Sequence, residues 1–370
     1  FLSEEDKYDG AEVCVLASSL AKTLFPFGDS LGKPVNIGGN LYTVIGEVAP
    51  RTNLNDSGGK GFKKELADIC QKYQYSYYLQ LHGYGDADMI NVYDHNGKFI
   101  EPLSATKPPI GNEIYNSLKS INCKVAIPFS GFHQYQRRDS IWVNKYLTPP
   151  DAYSDGWGSE KKYVLLKPFT TVKLSDEGYA AEPYQKENLL RIEAKEIHES
   201  TFGDDWESLL SKSNKSLIDD YINSVELLKN RFAAIEFFVG GELHVVKFQN
   251  SGKKIRFSVP KGSLIKAIRT NTFDDLLIGN FMKTQCFNYK PSIYNPDFGR
   301  TLTKYSDNGG VKNRIQYQKY KKFYNSKRKA PDKISLFMRN NWNIVSNKFP
   351  VSFRTDIKRL LVSLSVSKSI

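Results

Sequence analysis

The order of local patterns between residues 62 and 129 constrains this chain most. "FKKELADICQKY" puts Phe62, Leu66, Ile69 and Tyr73 at helical spacing. "YSYYLQLHGYG" reads as a strand ending in a glycine turn, and "DMINVYDHNG" as a strand ending in a second turn. "GNEIYNSLKSI" is helical and "CKVAIPFS" is the next strand. Strand, turn, strand, helix, strand predicts a layered α/β domain, because each apolar face must be covered by a neighbouring element.

On either side of this block the patterns change. "AEVCVLASSLAKTLF" opens with an apolar run and continues with helix formers. "KPVNIGGNLYTVIGEVAP" gives two β-rich runs around Gly38-Gly39-Asn40, a hairpin signal. "NLNDSGGKG", residues 53–61, has loop composition and is the best linker candidate. From 188 to 231 the helical signal is strong, through "ENLLRIEAKEIHE" and "KSLIDDYINSVELLKNRFAA". "IEFFVGGELHVVKF" predicts a hairpin at Gly240-Gly241, "KKIRFSVP" another strand, and "KGSLIKAIRT" and "TFDDLLIGNFM" short helices.

Charge sorts along the chain. The net charge is +12 over 370 residues, from 52 Lys/Arg and 40 Asp/Glu. Residues 311–370 hold 15 Lys/Arg against Asp332 and Asp356 alone, which leaves 37 basic and 38 acidic residues in the first 310. The basicity belongs to the tail. There "YQKYKKFYNSKRK" interleaves aromatics with cations, a composition suited to an anionic surface or to nucleic acid, and equally to a solvated basic helix. No apolar run reaches the ~18 residues of a membrane span. The four cysteines are scattered without a CxxC, which reads as reduced, buried thiols and a cytoplasmic setting.

Candidate chemistry gathers between residues 82 and 140. His82, Asp86, Asp88, Asp94 and His95 surround one apolar strand, and "FHQYQRRDS" follows the next. Strand C-termini of a parallel sheet share an edge, where sites collect. Asp94 and His133 are therefore expected to converge. A carboxylate with an imidazole is the ligand pair of zinc, iron or manganese. The plainer reading of "DHNG" is a turn led by Asp94. Arg137, Arg138 and Asp139 stand where a polar anionic small molecule would be held, or where surface ion pairs form.

"MINVYD", followed some forty residues later by "IPFSGFHQYQRRDSIW", resembles the back half of metallo-β-lactamase-fold hydrolases. The similarity is to the ascorbate-phosphate lactonase and CMP-sialic acid hydroxylase branch. "FSVPKGSLIKAIRTNTFDDLLIGNFM" resembles the C-terminal module appended to such proteins. The resemblance spans roughly 65–310. It implies that Asp94 and His133 are metal ligands and that the ancestral reaction is hydrolysis of a phosphorylated sugar or nucleotide-sugar. The family's His-x-His-x-Asp-His motif has no counterpart here, since no His-x-His occurs. The implied metal centre is incomplete, and whether the chain is an enzyme stays open. "AEVCVLASSLAKTLFPFGDSLGKPVNIGGNLYTVIGEVAPR" resembles a different family, the extracytoplasmic core domain of MacB-type transporter permeases. That likeness implies a partner-contacting module in the periplasm.

The expected architecture is α/β: partial metallo-β-lactamase-like αββα layers followed by an α+β module, with a small β-rich N-terminal segment. The segments are a permease-like fragment at 1–56, a linker at 57–64, a partial hydrolase-like domain at 65–165, an α+β module at 166–310 and a basic tail at 311–370. The two pieces meet near "NDSGGKGF", as in a fusion or a fragment. Three readings follow: a degenerate metal-dependent hydrolase; a non-catalytic interaction protein with an anion-binding tail; and a nucleic-acid binder. A sheet that lacks its first strands exposes an edge, which predicts a homodimer.

Overall fold

A computed structural model describes residues 13–17, 34–37, 40–48, 63–81, 83–84, 89–105, 109–129, 133–168, 170–175, 178–182, 195–289, 297–307, 310–334 and 337. The chain forms two compact units, Phe1–Gly61 and Phe62–Ile370.

The first unit holds β1 (Val13–Ala17), β2 (Pro34–Ile37) and β3 (Asn40–Val48), in the order β1-β3-β2. β2 and β3 pair antiparallel, with Ile37 opposite Asn40, as the Gly38-Gly39 signal predicts. β1 lies parallel to β3, with a register shift between Cys14 and Val15. The helix expected over "LAKTLF" falls outside the described residues.

The second unit is mixed α/β with several sheets. It begins with α1 (Lys63–Cys70), β4 (Tyr77–Leu81), β5 (Val92–Tyr93), α2 (Ile110–Ile121), β6 (Val125–Phe129) and β7 (Val164–Leu165). β4, β6 and β7 form a parallel sheet with β6 in the middle. α2 buries Ile110, Ile114, Leu118 and Ile121 on one face, the stripe that a 3.6-residue period requires. Asn122 ends it in the left-handed conformation at φ +51°, and its N–H returns to Leu118 and Lys119 carbonyls. Leu66 and Cys70 of α1 pack on the same cluster.

A hairpin of β8 (Val172–Ser175) and β9 (Gly178–Ala181) follows. The chain then makes α3 (Lys212–Asn223), α4 (Glu226–Lys229), β10 (Ala234–Val239), β11 (Glu242–Lys247) and β12 (Lys254–Ser258). After these come α5 (Lys261–Thr270), α6 (Phe273–Ile278) and β13 (Lys283–Phe287). β10 and β11 turn through Gly240 and Gly241 at φ +61° and +84°, the two positive values of a type I′ hairpin. The five-stranded sheet runs β11-β10-β12-β13-β5. Its inner face, with Ile235, Phe237, Val246, Ile255 and Phe257, packs on α3, α5 and α6. Phe257, Phe273 and Phe298 meet there at 4.7–5.4 Å between ring centroids. Its outer face carries Phe238, Leu243, Val245, Arg256, Lys254 and Tyr93. Glu236 sits among them, buried, with Arg256 Nε at 2.8 Å and Lys254 Nζ at 3.3 Å.

Two expectations change. β5 belongs to the five-stranded sheet, where Val92 and Tyr93 pair with Thr284 and Gln285 of β13, so the expected division at 165/166 does not separate the sheets. Residues 195–198, expected to end a helix, are extended. Ile197 N–H donates to Gln136 at 2.7 Å, and Arg138 N–H donates to Ile197 at 2.9 Å. Strand-like pairing with a distant segment overrides local propensity there. The rest of that expected helix, residues 188–194, lies outside the described residues.

Candidate anion-binding interface

Asp94 follows β5 and His133 follows β6, so they end strands of two different sheets. The shared sheet edge expected for the pair is not formed, because β5 pairs with a strand far along the chain and not with β6. Asp94 Oδ1 accepts from the N–H groups of Asn96 and Lys98, both at 2.9 Å, and Asp94 C=O accepts from Gly97 N–H at 3.0 Å. This is the turn reading of "DHNG". His133 is exposed, with its ring edge-on to Tyr135 at 5.1 Å. His95 is exposed, and its carbonyl accepts from Gln285 Nε2 at 3.2 Å. His82, Asp86 and Asp88 lie outside the described residues.

Among the described residues, no three His, Cys, Asp or Glu side chains converge as metal ligands. Asp94 and His133, the zinc, iron or manganese ligands that the hydrolase resemblance implies, end strands of different sheets. Asp94 already has its Oδ1 engaged by two backbone donors.

Arg137 is held from all sides. Its Nε and Nη2 bond Asp139 at 3.0 and 2.8 Å, and its Nη1 lies 3.5 Å from Asp204. The guanidinium stacks 4.0 Å from the Phe281 ring centroid and 5.5 Å from that of Phe202. Trp206 Nε1 donates to Asp139 at 3.2 Å. Asp204 in turn accepts the N–H and hydroxyl of Ser263 in the first turn of α5. Asp204 is thereby a helix cap supplied from a distant loop. Arg138 pairs with the buried Glu199, Nη2 to Oε2 3.0 Å. Arg137, Arg138 and Asp139, the residues expected to hold an anion, tie residues 135–142 to residues 199–206 and to α5.

The other charged feature is the tail. α8 (Arg314–Lys327) follows a short helix, α7 (Asp297–Gly299), that continues as a π-helix over Arg300–Asp307. A capping box starts α8: Asn313 Oδ1 accepts Gln316 N–H at 2.9 Å, and Gln316 Oε1 accepts Asn313 N–H at 3.3 Å. Tyr317 and Tyr320 pack edge-on against Tyr305 at 5.0 and 5.6 Å, and the Tyr324 ring lies tilted 4.6 Å from that of Tyr320. Burial and the Tyr320 hydroxyl push the Tyr324 phenol up to about 12. At 100° per residue, tyrosines at 317, 320 and 324 turn Ile315, Lys319, Lys322 and Phe323 outward. All four are exposed, Ile315 by 67% and Phe323 by 55%. No acidic residue occurs between Lys312 and Pro331.

Beyond α8 the tail folds back on α1. Asp332, buried, accepts the N–H of Lys64 at 3.1 and 3.2 Å, and Lys329 pairs with Asp68. The Lys329 ammonium, with Lys64, holds the Asp68 carboxyl below its ordinary range. The tail's one acid near α8 is thus used as a helix cap. Ile334 and Phe337 are each 62% exposed.

The outward face of α8 combines cations with large apolar side chains. The tyrosine spacing was the signal for it. Read with a helical period, 317, 320 and 324 mark the buried stripe, and the outward residues follow by elimination.

Residues 1–68 match the family described as MacB-like periplasmic core domain. The permease-like resemblance of the N-terminal segment is supported, and nothing supports the metallo-β-lactamase resemblance. No curated protein and no solved structure matches the chain. Among the described residues, no helix is long and apolar enough to cross a membrane.

Proposed function

We propose that this chain is a non-catalytic interaction protein that docks on anionic membrane surfaces through the outward face of α8. The observation that carries the reading is Ile315 and Phe323 exposed beside Lys319 and Lys322 on one helix face. Each lysine near an anionic bilayer contributes ~1 kcal/mol, and the effect decays within a Debye length. Apolar side chains on the same face enter the headgroup boundary. A nucleic acid would engage the lysines but offers the exposed isoleucine nothing to enter. The match at residues 1–68 supports a partner-contacting role for the N-terminal unit, and a periplasmic setting over a cytoplasmic one.

The test is co-sedimentation with vesicles of phosphatidylglycerol and phosphatidylcholine at rising anionic fraction. Binding is expected to grow with that fraction and to fall with salt. Lys319→Glu with Lys322→Glu should abolish it, and Phe323→Ser should weaken it at every salt concentration. Equal binding to neutral vesicles would refute the reading. So would tight, salt-sensitive binding to a single-stranded oligonucleotide that Phe323→Ser leaves unchanged, an outcome that selects nucleic acid instead.

A further inference from the structure

We propose that two copies of this chain associate through β11, antiparallel about a two-fold axis at His244, so that their five-stranded sheets join into one. β11 ends the strand order, and among the described residues its only strand partner is β10. Its six residues contain neither proline nor glycine, and they pair with β10 in unbroken register from Glu242 to Lys247. Sheet edges are ordinarily guarded by bulges, prolines or charges in mid-strand. Here the charges stand only at the two ends, and the middle reads Leu243, His244, Val245, Val246.

The exposed apolar side chains of this edge share one face. Phe238 pairs with Leu243 and Glu236 with Val245, so Phe238, Leu243 and Val245 all lie on the outer face. Their exposures are 41%, 45% and 42%. The opposite face of β11 is tied down. His244 Nε2 lies 2.8 Å from Asp219 Oδ1, and Glu242 lies 3.4 Å from Lys215 Nζ, both on α3. The unsatisfied apolar surface is therefore confined to one face of an open strand.

Side-chain alternation selects the occupant and its register. A two-fold axis perpendicular to a sheet keeps each face on its own side, so it must pass through a residue and not between two. Centred on His244, it sets Leu243 opposite Val245 of the second copy, and Val245 opposite Leu243 of the second copy. Centred on Val245, it sets Leu243 opposite a lysine. Only the His244 centre pairs both exposed apolar residues with apolar partners, and it does so twice, as a closed isologous interface requires. A second copy is thus the partner whose chemistry this edge already contains.

The experiment is sedimentation velocity on the full chain from about 1 to about 100 µM, with Val245→Lys and Leu243→Lys beside wild type. A lysine at 245 lies across from Glu236 on β10, so the fold tolerates it. Wild type should show a concentration-dependent dimer. Each lysine variant should remain monomeric with an unchanged far-UV spectrum. His244→Cys supplies an independent readout, because the axis places the two copies of residue 244 opposite one another at ~4.5–5.5 Å between Cβ atoms. Copper(II)–phenanthroline would take two electrons from the two thiols, release two protons and leave one intermolecular disulfide. Wild type under the same oxidant is the control. A wild type that is monomeric throughout overturns the proposal. So does a dimer that survives both lysine substitutions while residue 244 fails to cross-link.

Discussion

Asp332 caps α1 by accepting the N–H of Lys64, a residue 268 positions earlier in the chain. The bond makes the basic tail a part of the folded unit, and the Lys329–Asp68 pair beside it fastens the same junction. Asp332→Ala should cost about 1 kcal/mol, the worth of a helix N-cap. Denaturant unfolding checks the magnitude. Limited proteolysis checks the cause, since cleavage after Lys327 or Lys329 should become faster while the five-stranded sheet stays protected.

Arg137 offers a different kind of test. Its guanidinium is bidentate to Asp139 and stacked on Phe281. Arg137→Ala strands Asp139 and Asp204 with less compensation, and such losses cost about 3 kcal/mol or more. Arg137→Lys should recover only a minor part, because an ammonium makes neither the fork nor the stack. Vesicle binding by the folded fraction should not change. Thermal unfolding alongside co-sedimentation separates the two effects.

Close packing at Gly158 makes a third prediction. A Cβ built there would lie 2.2 Å from Cζ of Tyr115, whose ring also meets Trp157 and Tyr163 edge-on at 5.5 Å. Tyr115 is buried. Gly158→Ala should destabilise by about 1–3 kcal/mol, the usual cost of overpacking. The midpoint of denaturant unfolding should fall with an unchanged slope.

Asp307 sets a pH dependence. Burial pushes its carboxyl up to about 6, although the Tyr221 hydroxyl donates to it at 2.7 Å. The folded state therefore holds this proton more tightly than the unfolded state. The stability it contributes is fully present below the ordinary carboxyl range and is lost as pH rises through about 6. Asp307→Asn keeps an acceptor and removes the titration. It should be near neutral at acid pH and stabilising by about 1 kcal/mol at pH 8, a figure reduced for solvent screening at a partly exposed site. Thermal midpoints of both proteins across that range decide it.

Local signals and distant ones were unequally legible in this chain. Gly240-Gly241 announced its hairpin because two positive φ values need two glycines, and the α2 stripe announced its buried face by period alone. At Asp94 the residues carried both a turn reading and a ligand reading, and the turn uses interactions within four residues. The ligand reading required β5 and β6 to be sheet neighbours, a property that lies with β13, far along the chain. The pairing of Ile197 with Gln136 and Arg138 was hidden for the same reason, since "RIEAKEIHE" is a good helix until another segment offers its backbone. The role of Arg137 was obscured because Asp204, Phe281 and Ser263 come from three other parts of the chain.

Synthesis on the ribosome gives the placement of β5 a further meaning. The backbone N–H of Ile90 donates to the side chain of Asn280, 190 positions later, and Val92 pairs with Thr284. At ~5–20 residues per second, the first of these partners emerges roughly 10–40 s before the second exists. During that interval "MINVY" is an apolar, β-prone segment with no strand to join. Until α6 and β13 have left the tunnel, such a segment carries the aggregation risk of transiently exposed apolar surface. Translation pauses placed before residue 280 would lengthen the exposed interval and lower the yield of folded protein, whatever the stability of the finished molecule.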